Sequence, residues 1–501
     1  MNKPIQRISI VVIVMTVVLL ANATYVQVFK ANALKSDPRN NRVLLDEYAR
    51  QRGAITSVGG SVVAVSVPTD GRLKFLRTYP PNGAEAFAPV TGYYSFQYGS
   101  AGLELYENSI LSGNDDRLFG QRFIDMFSGR DPRGGNVVTT INSRLQRVAF
   151  DGLRNGCQGG CRGAVVAIQP NTGKILAMAS SPSYDPNDLA SHDQAVRERS
   201  WAAWNEPDDI NMPMLNRAIN QLYPPGSTFK VVTTASALRD GISTDIRLTA
   251  SPTIVLPDTV TTLSNYGGET CPGSVRGTVT LTQAFQYSCN TAFVDLTTSK
   301  MQDPINVFRE TAQRFGIDEK QPDTPLPVTT STVGPIPDLA ALGQSSIGQR
   351  DVRVTPMQMA MVAATVANGG VRMQPYLVDK LQAADLRTLQ TTQPTTINEP
   401  ISSDQAATLT SLMIDSERST LGAGGPVSIA SKTGTAEHSD SSDVESETPY
   451  SWYIAFGPSS NAQIAVAVVV ENGDLGPAST GGAVAAPIGR SVINALVGGA
   501  G

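Results

Sequence analysis

A serine three residues ahead of a lysine is one way to build a nucleophile and its base, and this chain offers one such pair. It lies in Pro224-Pro225-Gly226-Ser227-Thr228-Phe229-Lys230. Two prolines and a glycine end whatever precedes them, and proline is tolerated just ahead of and at the first turn of a helix. The run from Phe229 to Leu238 is apolar or small, which predicts a buried helix stopping at Asp240-Gly241. Ser227 is then expected in the first turn, where unpaired N–H groups and the positive end of the dipole favour developing negative charge. Lys230 shares its helix face. Desolvated by packing, that lysine gives up its proton more readily and can accept one from the serine. A helix start with a capping serine and a solvated lysine fits the same residues, so the neighbours decide.

Two further patterns follow in order. Ser288-Cys289-Asn290 is cheap, since Ser-x-Asn recurs at Ser112-Gly113-Asn114 and Ser459-Ser460-Asn461, and alone it reads as a polar turn. Lys432-Thr433-Gly434-Thr435 occurs once, inside a predicted strand over 427–436. A glycine within a strand often marks the close approach of a ligand or another backbone. Two threonine hydroxyls and an ammonium around that glycine make an anion site, although a surface lysine on an edge strand is the plainer alternative.

These residues need a scaffold. Gly163–Ile168 reads as a buried strand, Asn171-Thr172-Gly173-Lys174 as a turn and Ile175–Ser180 as the returning strand. A loop-rich segment reaches to about 216, followed by the Ser227 helix and a mostly helical middle. Strands return at 427–436, 452–457 and 463–471, the last two joined by a short hairpin link, and a final helix is expected over 482–497. Strands at both sequence ends with helices between them predict an α/β sheet closed by distant segments. Residues 30 to about 150 read as mixed and elongated: a strand over 60–67, a helix from Ser100, a strand over 137–141 and a helix capped by Ser143. No nucleophile–base pair is found there, so this region is expected to act as a spacer or interaction domain.

At 501 residues the chain can hold two or three domains. A hydrophobic fraction of 41% and a charged fraction of 17% are those of a globular protein. The net charge of −5, without long basic runs, argues against nucleic acid as a partner. Two histidines, His192 and His438, cannot supply a multi-histidine metal site, and no Cys/His cluster has zinc spacing. Cys157 and Cys161 flank a glycine-rich loop that can close as a small disulfide ring outside the cytoplasm; two unpaired thiols are the alternative. At the N-terminus an apolar stretch over 5–28 is long enough to span hydrocarbon, and Lys3 and Arg7 place the N-terminus inside. Ala21-Asn22-Ala23 also suits signal cleavage, but apolar character resuming at Tyr25 favours a retained anchor.

In this order, Ser-x-x-Lys, Ser-x-Asn and Lys-Thr-Gly are the motif set of serine penicillin-recognising enzymes. Tyr223–Lys230 resembles the nucleophile stretch of class B penicillin-binding proteins, most of all their actinobacterial A type. The hairpin at 163–168, the loop Pro182–Asn187, Ser346-Ile347-Gly348-Gln349 and Thr355–Ala360 resemble further parts of the catalytic domain. Arg52-Gly53-Ala54-Ile55 and Gly102-Leu103-Glu104 resemble the non-catalytic pedestal. Two positions depart: Arg350, where many relatives have glycine, and Thr56, where aspartate is common.

The resemblance implies an α/β (α+β) transpeptidase domain, with an antiparallel five-stranded sheet flanked by helices and an all-helical subdomain. It implies a division into a cytoplasmic tail (1–7), a transmembrane anchor (8–28), a pedestal of the dimerisation type (30–154) and a penicillin-binding domain (155–501). Ser227 would be acylated, Lys230 would take its proton, and Ser288 with Lys432 would pass a proton to the leaving amine. Asn290, Thr433, Gly434 and Thr435 would hold substrate, with the N–H groups of Ser227 and Thr435 as oxyanion hole. Stem peptides ending in D-Ala-D-Ala and β-lactams are the implied ligands, with neither metal nor organic cofactor. No glycosyltransferase domain fits into 30–150, so a separate membrane glycan polymerase is an expected partner. The rivals are a D,D-carboxypeptidase, a serine β-lactamase and a β-lactam sensor.

Overall fold

The computed structural model describes residues 3–30, 48–71, 73–80, 83–120, 133–207, 209–320, 324–436 and 448–498. Met1 and Asn2 of the expected tail, the start of the pedestal region at 31–47, and His438 lie outside them.

The catalytic part is built on five antiparallel strands: β1 (Gly163–Ile168), β2 (Ile175–Ser181), β3 (Ala430–Ala436), β4 (Tyr450–Gly457) and β5 (Ile464–Val470). Their order is β3-β4-β5-β1-β2, so the first hairpin closes against the last and β3 is an edge. β1 and β5 are apolar throughout and wholly buried, the pattern of strands covered on both faces. The cover comes from helices. The helices named here are α1 (Lys3–Thr24), which stands apart at the N-terminus with no buried residue and takes no part in the cover, α2 (Ser143–Gly156), α3 (Lys230–Arg239), α4 (Pro356–Ala367), α5 (Ser403–Arg418) and α6 (Ala486–Val497). α2 and α6 pack on each other and on the sheet, α4 lies along β5, β1 and β4, and α5 lies behind β3. α4 is a nearly all-apolar helix started by Thr355, whose hydroxyl accepts from Gln358 N, with Pro356 in the first turn.

The N-terminal region forms a six-stranded sheet from Ile55–Thr56, Val62–Pro68, Phe75–Thr78 and Asn136–Thr139, completed by Val378–Gln382 and Thr388–Thr391 from much later in the chain. Thr56 lies in the two-residue strand between Val62–Pro68 and Asn136–Thr139. Glu104 is buried between Arg52 and Arg77, each 2.6 Å away. Burial pushes its carboxyl up, but the two guanidinium groups more than offset this and hold it below the usual range. Two local expectations change. α2 is capped by Asn142, which accepts from Arg144 N and Leu145 N, while the Ser143 hydroxyl bonds Ser57. The helix expected from Ser100 is two short pieces, Gly102–Tyr106 and Asn108–Leu111.

Among the described residues, one helix is long and apolar enough to cross a membrane. α1 continues through Tyr25–Phe29 to give 27 residues, none of them buried.

Candidate active site

Ser227 sits in a 3-10 turn, Gly226–Phe229, that runs directly into α3. The turn is fixed from several sides. Trp452 Nε1 donates to Pro224 O at 2.9 Å, and Thr228 Oγ1 to Pro225 O at 2.8 Å. Gly226 N donates to Gly348 O at 3.0 Å. Just upstream, Tyr223 Oη donates to Glu471 at 2.6 Å. β3 presses closely on this turn. A Cβ at Gly434 would stand 2.8 Å from Pro225 O, and one at Gly226 2.8 Å from Thr435 O, so both contacts need glycine. Gly226 also has φ +52°, a conformation that side chains disfavour.

Lys230 is completely buried beneath the serine. Its Nζ donates to Ser227 Oγ at 3.1 Å, Ser288 O at 2.8 Å, Ser288 Oγ at 3.3 Å and Asn290 Oδ1 at 2.7 Å. The Phe293 ring lies 5.2 Å from it. All four of these hydrogen-bond partners are neutral oxygens. Burial, and then the charge of Lys432, hold the Lys230 ammonium well below the ordinary lysine value. Lys432, on β3, donates to Ser288 Oγ at 2.9 Å and to Thr433 O at 3.1 Å, and burial brings its pKa down to about 7.

The structure therefore links Ser227, Ser288 and Asn290 through Lys230, and Lys432 through Ser288, in one hydrogen-bonded group, with Gly434 against the nucleophile turn and Thr433 and Thr435 half-buried beside it on the edge strand. Ser288 has φ +60°, a strained value for a serine, and the Lys230 bond to its carbonyl helps to fix it. Cys157 and Cys161 are joined in a disulfide beside α2, away from this group.

Several contributors escape a reading of the motifs alone. A second disulfide joins Cys289, between Ser288 and Asn290, to Cys271. The loop carrying Cys271 holds this segment at two further points: Asn290 Nδ2 donates to Ser264 O at 3.0 Å, and Thr291 N to Asn265 Oδ1 at 3.1 Å. The only sequence signal was a cysteine inside the second motif. Arg350, where the resemblance leads one to expect glycine, has φ +61°, a conformation glycine adopts without strain.

Comparison with known proteins follows the same lines. Residues 163–494 match the penicillin binding protein transpeptidase domain, and residues 52–137 the penicillin binding protein A dimerisation domain. The chain is 54% identical over 500 residues to the peptidoglycan D,D-transpeptidase PbpA of Mycolicibacterium smegmatis, covering 99% of each. It is 53% identical over 499 residues to PbpA of Mycobacterium tuberculosis, again covering 99% of each. Among solved structures it resembles the ceftriaxone acyl-enzyme of penicillin-binding protein A from M. tuberculosis, with TM-score 0.86 and 52% identity over 90% of this chain and 100% of that one. The penicillin G acyl-enzyme of the same protein gives TM-score 0.84 at 51% identity, over 89% and 100%. The chain belongs to the penicillin-binding protein transpeptidase family and carries the dimerisation domain of penicillin-binding protein A.

Proposed function

We propose that the chain is a serine D,D-transpeptidase that cross-links peptidoglycan stem peptides, with Ser227 as its nucleophile. The observation that carries this is the fully buried Lys230 ammonium, 3.1 Å from Ser227 Oγ and surrounded by neutral oxygens. In its neutral form it takes the serine proton as Oγ attacks the carbonyl of the penultimate D-Ala. The tetrahedral oxyanion is held by the N–H groups of Ser227 and Thr435, each worth about 2.7–4 kcal/mol in such a site. Ser288, bonded to Lys432, hands a proton to the departing D-Ala amine. β3 is an edge strand, so an extended stem peptide can pair along it. Thr433, Gly434 and Thr435 receive the terminal carboxylate beside Lys432. Asn290, whose Nδ2 carries a second hydrogen beyond its bond to Ser264 O, holds a substrate amide. An amine from a neighbouring stem then takes the acyl group and frees Ser227. A β-lactam enters the first half of this cycle and stays.

α1 and its continuation anchor the protein in the cell membrane by a single span, with the catalytic domain outside the cytoplasm. At about 1.5 Å per residue the helix reaches about 40 Å, more than the ~30 Å hydrocarbon core. Residues 30–154, joined by Val378–Thr391 in one sheet, serve as a pedestal between membrane and catalytic domain. Glycan strands come from a separate membrane polymerase. The test is labelling with a fluorescent penicillin and mapping of the modified residue. Label on Ser227 supports the reading, and label retained by Ser227→Ala refutes it.

A further inference from the structure

Behind β3 lies a buried carboxylate that the steps above do not use. Ser431 and Lys432 are neighbours on the strand and so project to opposite faces of the sheet. Lys432 reaches Ser288 on the cleft side, while Ser431 faces α5 and donates its hydroxyl to Glu417 Oε2. Tyr453 Oη, from β4, donates to the same oxygen at 3.0 Å. Arg490 Nε, from α6, donates to the other oxygen at 2.7 Å and supplies the charge that a buried carboxylate needs. Both side chains are largely withdrawn from water, at 9% exposure for Glu417 and 11% for Arg490. Donors from three elements thus meet on one carboxylate at the end of α5. Two residues on, Ser419 Oγ accepts from Gln286 Nε2 at 2.9 Å, and Gln286 ends the short helix Leu281–Gln286 that leads into Ser288. The end of α5 therefore holds both the segment that carries Ser288 and the strand that carries Lys432.

We propose that Glu417 is a positioning residue for acylation, acting through the Ser431 hydroxyl to set the depth of β3 and so the place of Lys432 against Ser288. This rests on the acyl-serine reading given above. Among the described residues β3, as an edge, pairs laterally with β4 alone, so its fit to the nucleophile turn depends on what stands behind it. A displacement of an ångström in such a site costs up to about 100-fold in rate.

The test uses the full-length protein and a chromogenic β-lactam, resolving the first-order acylation constant from the preceding binding constant. Ser431→Ala is expected to lower acylation about fivefold or more while binding stays near wild type and Tm falls modestly, and Ser431→Thr, which keeps a hydroxyl, to recover most of the loss. Tyr453→Phe removes an equally buried bond to the same oxygen and leaves the Ser431 hydroxyl on β3 in place. It is expected to lower Tm about as much as Ser431→Ala does and to leave the acylation constant near wild type. Glu417→Ala should be slow, and adding Ser431→Ala to it should cost nothing more, because the two act as one unit. Wild-type acylation in Ser431→Ala, additive losses in the double variant, or equal acylation losses in Ser431→Ala and Tyr453→Phe would each overturn the proposal. Should Glu417→Ala fail to fold, the serine and tyrosine variants still decide. Label that survives Ser227→Ala defeats the acyl-serine reading itself, whereas label confined to Ser227 with normal kinetics in Ser431→Ala defeats only the role of Glu417.

Discussion

Lys230 and Lys432 share one acceptor. Their Nζ atoms stand 3.3 and 2.9 Å from the hydroxyl of Ser288, in a pocket where both side chains are buried. Burial disfavours both charges, and the charge on Lys432 disfavours that on Lys230 further. The pocket thus sheds protons far below the usual lysine range, and the two lysines can hold different protonation states at once.

That arrangement predicts a bell-shaped acylation profile. The rate rises with pH as Lys230 becomes neutral and falls as Lys432 loses its charge near its pKa of about 7. Lys432→Arg keeps its charge at all these pH values. It should acylate more slowly at its best but lose the falling limb. The second-order rate constant measured from about pH 5 to about pH 10 checks this, and an unchanged falling limb in Lys432→Arg would contradict it.

The same shift has a sign for stability. The folded Lys230 pKa lies below the ordinary 10.5, so in that window the unfolded chain holds more protons and stability rises with pH. Below the folded pKa both states are charged and the burial penalty is full. Lys230→Met removes the penalty. Its Tm should exceed that of wild type by most at the acid end, with the gap closing as pH approaches the ordinary lysine value. Thermal melts across pH report this, and a gap that widens with pH would exclude it.

The two disulfides should behave differently. Cys271–Cys289 closes a loop of sequence separation 18 and ties the second motif to the loop beside it, whereas Cys157–Cys161 has a sequence separation of only 4 and lies elsewhere. Replacing Cys271 and Cys289 by alanine should cost about 3 kcal/mol of stability by loop-closure entropy. It should also slow acylation, because Ser288 and Asn290 flank Cys289. The equivalent change at Cys157 and Cys161 should leave acylation alone. Paired melts and acylation rates decide, and equal kinetic effects from the two pairs would be the contrary result.

What the sequence makes legible is what is local. Ser227 and Lys230 share one helical turn, and Lys432 to Thr435 share one strand, so type and spacing already carry their chemistry. The strands of the catalytic sheet read easily because β1 and β5 are unbroken apolar runs buried on both faces. Long-range choices leave no such trace. Val378–Gln382 is half polar, and nothing local says that it completes the N-terminal sheet. Asn142 and Ser143 are both good caps, and only packing against Ser57 decides between them. Glu417 reads as one glutamate among several in the second half of the chain, because its partners Ser431, Tyr453 and Arg490 arrive from three other elements.

The acyl-enzyme formed with penicillin should be long-lived. Of the glutamates between the second and third motifs, Glu310 pairs with Arg239, Glu319 with Arg372, and Glu417 with Arg490 behind the sheet. Among the described residues, the hydrogen-bond partners of Ser227 and Lys230 include none of these carboxylates. Losing general-base help to a hydrolytic water slows such a step by roughly 10²–10⁴-fold. Bound penicillin followed over time should decay over minutes to hours, and many turnovers per second of a chromogenic β-lactam would mark a β-lactamase instead.

The most direct measurement follows acyl transfer itself. The full-length protein is given a stem peptide ending in D-Ala-D-Ala together with an amine acceptor, and the products are weighed by mass spectrometry. Wild type should release D-Ala and join the shortened donor to the acceptor through a new amide, and Ser227→Ala should do neither. Donor hydrolysis with no amide formed, or D-Ala release that persists in Ser227→Ala, would contradict a transpeptidase working through Ser227.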